Sequence, residues 1–192
     1  MILARPFAHR KWPKEPGGEC TRTAGQWAPR LVTVTTNSTS NETVPAPEQR
    51  LRMPELAPDF YQAMIAVDRA SRQGLDPVLA ELVKVHASMI NGCAFCIDMH
   101  ATDARKNGEQ DHRLVSLPAW RETPWFTARE RAALALTESV TLLTRGHVPD
   151  AVYDEAAAQF EPAELAQLIA LIATINTWNR IGVSTRMSPA AK

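Results

Sequence analysis

Asn91-Gly92-Cys93-Ala94-Phe95-Cys96-Ile97-Asp98-Met99-His100 is the stretch on which the reading of this chain turns. Two thiols and an imidazole stand at i, i+3 and i+7. On a helix those positions share one face within two turns. Asn91-Gly92 reads as a turn, which puts Cys93 at the start of that helix. Unpaired amides and the helix dipole favour a thiolate there. Two thiols so placed can cycle between dithiol and disulfide, and His100 can relay or hold the proton that a thiol gives up.

Blander readings compete. Cys93, Cys96 and His100 are three of the four ligands that a structural zinc needs, and His86 or Glu81 would complete the set. Against this, there is no second C-x-x-C and no H-x-x-x-H. The thiols could also be inert and buried, as free cysteines often are. A thioredoxin-like site would need a βαβ pattern nearby, and the flanking sequence has no strand pattern.

Outward from the motif, the periodicity is helical. Asp76-Pro77 is an N-cap followed by proline, opening a helix to residue 90. Leu79, Leu82, Val83, His86, Met89 and Ile90 form its apolar stripe, on which His86 reads as a packed core histidine. Glu81 taken alone reads as a solvated position beside that stripe. Pro58 opens an earlier helix over 58–73, with Gly74 as its stop. The motif helix runs over 93–106, ended by Asn107-Gly108, and a short one follows over 110–117. Thr127 and Glu130 form a capping box opening a helix to residue 145. Pro149 and Pro162 start the last two, over 149–160 and 162–182. The last is apolar on more than one face, which predicts a place in the core or against another subunit. Trp120, Trp125 and Trp178 read as core or interface anchors. The expectation is an all-α bundle of about seven helices.

Composition narrows the function. The chain has 192 residues, with 21 basic and 21 acidic side chains. That balance implies no nucleic-acid or anionic-membrane partner. Three cysteines, an odd number, argue against a disulfide-stapled secreted scaffold, and Cys20 stands alone. Residues 165–175, the most apolar run, are too few to span a bilayer. With no signal-peptide pattern, a cytoplasmic protein is expected. Residues 1–50 are rich in Pro, Thr, Ser and Asn without a period and are expected to form a disordered tail. Residues 51–187 form the helical domain, and 188–192 a short C-terminal tail.

Glu81, Cys93, Cys96 and His100 together resemble the signature of the alkylhydroperoxidase D-like proteins of the carboxymuconolactone decarboxylase superfamily. In that pattern a Glu lies twelve residues before the first Cys of C-x-x-C, and a His four after the second. Residues 120–124 and 176–180 are also similar to that family. The resemblance implies a compact all-α fold assembling into homotrimers or hexamers, and a thiol-dependent peroxidase. By the same resemblance Cys96 attacks the hydroperoxide, Cys93 resolves the sulfenic acid into a disulfide, and Glu81 and His100 relay protons. The implied partner is a dithiol reductant, lipoyl-bearing or thioredoxin-like; no cofactor or metal is implied. Phe95 stands where some peroxidase members carry a second His, and an apolar ring cannot relay a proton. Use of the same disulfide as a redox switch is the competing function, with a zinc-stabilised structural domain behind it.

Overall fold

The computed structural model describes residues 44–190, and they are helical with no strand among them. The order is α1 (Met53–Leu56), α2 (Pro58–Ser71), α3 (Pro77–Asn91), α4 (Ala94–Lys106), α5 (Asp111–Ser116), a 3₁₀ turn (Leu117–Glu122), α6 (Ala128–Thr141), a second 3₁₀ turn (Leu143–Arg145), α7 (Asp150–Ala157) and α8 (Pro162–Thr185). The all-α expectation holds, with eight α-helices where about seven were expected. Cys20 and the first 43 residues of the expected tail lie outside the described residues. Residues 44–52 carry no helix, and Arg50 donates from its backbone N–H to the Thr185 carbonyl at 2.9 Å.

Local chemistry explains the boundaries. Asp76 Oδ1 accepts from the Leu79 amide at 2.8 Å, with Pro77 at the first helical position. Thr127 and Glu130 close their box reciprocally. Several expected ends move: α2 stops at Ser71 rather than 73, and α7 at Ala157 rather than 160. α6 stops at Thr141, because Leu142 leaves the helical region (φ −104°, ψ 41°) and the chain tightens into the 3₁₀ turn before Gly146. α8 runs through Gly182 to Thr185. Gly182 is therefore no helix stop; what it faces is described below.

Helix α3 is the axis of the bundle, packed on α4, α6 and α8. Its Leu79, Ala80 and Val83 join Ala133, Leu136, Leu168, Leu171 and Ile172 in one core. Its Leu82 and Val85 join Ala101, Ala104, Leu114, Leu117, Trp120 and Leu134 in a second. A helix covered on both sides has no wet face, so every residue from Leu79 to Ser88 is buried, polar ones included. A buried polar group must find a partner, and that requirement builds the site. The apolar breadth of α8 is consumed inside the chain, against α2, α3 and α6.

Candidate active site

Gly92 ends α3 in the left-handed region (φ 67°, ψ 32°), which glycine adopts without a side-chain penalty. The turn delivers Cys93 to the N-cap of α4 and Cys96 to its first turn. Both are free thiols, 2% and 3% exposed, and their sulfurs stand 2.8 Å apart. A disulfide needs about 2.05 Å. The S–H of Cys96 stabilises a thiolate on Cys93; burial opposes this, and the amides of Cys96 and Phe95 and the side chain of Asn179 assist. The Cys93 pKa falls from 9.0 to about 6. The Cys96 thiol is pushed up, by its hydrogen bond to Cys93, by burial and by the neighbouring negative charge. At neutral pH the pair holds one proton and one negative charge.

One turn further on, His100 Nδ1 meets Glu81 Oε2 at 2.9 Å, and both side chains are buried. Glu81 is thus no solvated residue of the α3 surface; it points into the α3–α4 seam. Its other oxygen, Oε1, accepts from Lys84 Nζ at 2.5 Å, and Lys84 is 1% exposed. Burial alone would raise the Glu81 pKa. The His100 hydrogen bond and the Lys84 charge outweigh it and hold the carboxyl below its usual range.

Cys96 and His100 open onto one cavity of about 290 Å³, whose walls include Tyr61, Phe95, Met99 and Trp178. Tyr61 and Trp178 meet edge-to-face with ring centroids 5.3 Å apart. Trp178 is therefore a cavity wall, whereas Trp120 is buried and Trp125 exposed. Cys93 does not line the cavity; it lies behind Cys96.

Helix α8 closes the back. Asn179, fully buried, donates to Ser88 Oγ at 2.9 Å and accepts from Asn91 Nδ2 at 2.9 Å. One turn later, a Cβ added to Gly182 would sit 3.0 Å from Cys93 Sγ and 3.9 Å from Cys96 Sγ. The glycine lets the helix backbone pass over the sulfurs.

The four residues singled out in the sequence thus form two touching pairs along the α3–α4 seam, Cys93 with Cys96 and Glu81 with His100. Lys84 and Gly182 escaped the sequence reading as site residues, and Asn179 stood only within the family-like stretch 176–180. Lys84 lies three residues from Glu81 on one helix, and a glycine inside a long apolar helix is itself a sign of close approach; those were the available signals. His86 is a core histidine as expected, its Nε2 3.1 Å from Glu138 Oε1. Among the described residues the convergent metal-type donors are Glu81, His100 and Asp103, without either cysteine. Glu81 already serves Lys84 and His100, and Asp103 pairs with Lys106 at 2.8 Å. The zinc set read from the sequence, built on the cysteines, is not assembled.

Comparison with known proteins bears on the family and the fold. The family model described as "Carboxymuconolactone decarboxylase family" matches residues 58–139. A Bacillus subtilis protein, YdfG, itself uncharacterized, is 37% identical, over 75% of this chain and 99% of its own length. This chain belongs to the carboxymuconolactone decarboxylase family. Within it the chain is alkylhydroperoxidase D-like. A proposed AhpD-type antioxidant defence protein of unknown function from Agrobacterium tumefaciens has a similar structure, with TM-score 0.74 and 33% identity, covering 76% of this chain and all of that one. The debrominase Bmp8 shares the fold at TM-score 0.64 and 18% identity, over 71% of this chain and 74% of its own. No described helix is long and apolar enough to cross a membrane.

Proposed function

We propose that this protein is a thiol-dependent peroxidase that reduces organic hydroperoxides through Cys96 and Cys93, with His100 and Glu81 moving protons. The observation that carries this reading is the 2.8 Å contact between two free buried thiols, only one of which opens onto the cavity that also holds His100. An inert pair needs no such asymmetry.

The shared proton passes from Cys96 to Cys93, leaving a thiolate on the sulfur that faces the cavity. Cys96 attacks the outer peroxide oxygen, the O–O bond breaks, and Cys96 becomes a sulfenic acid. His100 draws a proton from solvent at Nε2 and passes it to the departing alkoxide, Glu81 stabilising the transient imidazolium through Nδ1–H. Cys93 then yields its proton to His100 and attacks the Cys96 sulfur. Hydroxide leaves and is protonated to water as the disulfide forms. The pair is oxidised by two electrons, the hydroperoxide is reduced to alcohol and water, and one proton is drawn from solvent. A dithiol, lipoyl-bearing or thioredoxin-like, returns two electrons by exchange. Trimeric or hexameric assembly and a cytoplasmic setting belong to the same proposal.

The test is catalytic consumption of hydroperoxide by the purified protein with dihydrolipoamide, thioredoxin or a small dithiol. Turnover that vanishes in Cys96→Ser supports the reading. Disulfide formation without turnover under any of these reductants would replace it with the redox switch.

A further inference from the structure

Lys84 is the most completely buried ionisable side chain among the described residues, and the chemistry above leaves it unused. Its ammonium has one recorded partner, Glu81 Oε1 at 2.5 Å. Burying a cation is costly, and replacing such a pair by apolar side chains is often neutral or stabilising. Stability therefore gives a weak account of Lys84, and its position gives a better one. Glu81 has two oxygens and two claimants: Lys84 holds Oε1, and His100 Nδ1 holds Oε2 at 2.9 Å. With Oε1 taken, the carboxylate cannot swing its free oxygen elsewhere. An ionised carboxylate only accepts, so the ring must carry its proton on Nδ1. Nε2 then remains as the ring nitrogen with no hydrogen-bond partner among the described residues, on a side chain that lines the cavity.

We propose that Lys84 is a positioning residue: by holding one oxygen of Glu81 it fixes which ring nitrogen of His100 faces the cavity and the Cys96 sulfur. Lys84 touches neither thiol nor substrate in this role, acting through Glu81 alone. In its absence Glu81 is free to rotate, and His100 loses its fixed tautomer and orientation. The role rests on the peroxidase reading only for its kinetic consequence; the tautomer is a property of the resting protein.

Two measurements test it. The first is the ¹⁵N chemical shifts of the His100 ring at neutral pH in the reduced full-length protein. The Nδ1–H tautomer is expected, with mixed tautomers in Lys84→Met; an Nε2–H tautomer in the unaltered protein overturns the proposal whether or not any peroxide is consumed. The second is kinetic, with cumene hydroperoxide and dihydrolipoamide. Lys84→Met should lower kcat by about 10-fold or more with KM little changed, the scale of weakened acid–base assistance. In a Glu81→Gln background the same change should alter kcat less than about twofold, because the carboxylate it acts through is gone. Equal losses in both backgrounds, or full activity in folded Lys84→Met, overturn it. Glu81→Gln/Lys84→Met carries no unpaired buried charge. If Lys84→Met alone does not fold, the tautomer in the unaltered protein and the kcat of the double variant against Glu81→Gln still decide. Absence of turnover in the unaltered protein would sink the peroxidase reading and leave the tautomer measurement standing.

Discussion

Gly182 and Cys93 approach so closely that a methyl group at residue 182 would lie 3.0 Å from the Cys93 sulfur. Helix α8 thus sets the room in which the thiol pair moves. Gly182→Ala should gain up to about 1 kcal/mol of helix propensity and lose about 1–3 kcal/mol to overpacking. The expected sum is a modestly lower Tm. The clearer effect is on chemistry: Cys93 is pushed off its N-cap position, so disulfide formation after hydroperoxide should slow markedly. Stopped-flow thiol loss beside a melting curve checks both. Unchanged oxidation kinetics would show that the sulfur has slack.

The thiol pair should titrate far from an ordinary cysteine. With Cys93 lowered to about 6, ultraviolet thiolate absorbance should rise with a midpoint near pH 6. Folding linkage follows the same sign. A lowered folded pKa adds stability that grows as pH rises from about 6 toward 9 and is lost as pH falls through 6. Above 9 the raised Cys96 reverses the trend, since the unfolded thiol ionises and the folded one resists. Urea melts of the reduced protein at pH 5, 7, 9 and 10 should pass through a maximum. Cys93→Ser should flatten the lower limb.

Much of the site was legible because its positions repeat along helices. The Cys93–Cys96–His100 spacing and the Asn91-Gly92 turn sit within ten residues, so local rules place them. Glu81 read alone as solvated, since a single helix cannot show that α4 will cover its far face. Lys84 was invisible for the same reason, and so were the contacts of Asn179, which the sequence marked only as part of a family-like stretch. Their roles arise where α3, α4 and α8 meet, and polar residues on a helix wrapped on all sides look like surface residues until the wrapping is known. The reach of α6 was overread because Gly146 is a strong stop signal, while the earlier break at Leu142 carries none.

Glu138 gathers three donors, His86 Nε2 at 3.1 Å, Trp120 Nε1 at 2.8 Å and Arg121 at 2.6 Å. Burial pushes its pKa up, yet these partners bring it down to about 2. The stability it contributes is complete above the ordinary value of 4.5 and lost as pH falls through about 2. Glu138→Gln should cost about 1–3 kcal/mol at pH 7. The gap in Tm between the two proteins should narrow as pH is lowered from 5 to 2.5. A constant gap would mean that the carboxylate charge contributes nothing beyond shape.

Arg50 ties the segment before α1 to the end of α8, through its backbone amide to Thr185 and its guanidinium to the Ser184 carbonyl at 3.2 Å. A chain beginning at Val44 should melt within about 2 °C of the full chain. One beginning at Met53 loses both bonds, each worth about 1 kcal/mol, and should melt several degrees lower. If the Val44 chain is the one that falls, the first 43 residues support the fold.

The order of oxidation is the sharpest consequence of the site. Two tendencies oppose each other: Cys93 carries the resting charge, and Cys96 faces the cavity. Proton exchange across 2.8 Å is fast beside any collision with peroxide, so access decides, and Cys96 should be oxidised first. Cys93→Ser should accumulate a sulfenic acid on Cys96, trappable with dimedone, and stop after one turnover. Cys96→Ser leaves the low-pKa thiol behind a hydroxyl and away from the cavity. It should consume no hydroperoxide catalytically, although iodoacetamide still reacts slowly with Cys93. His100→Ala should slow the first oxidation by about 10²–10⁴-fold without unfolding the bundle. Mass spectrometry after one equivalent of cumene hydroperoxide reads all three variants. A dimedone adduct on Cys93 in Cys96→Ser, formed at the native rate, would reverse the roles of the two sulfurs.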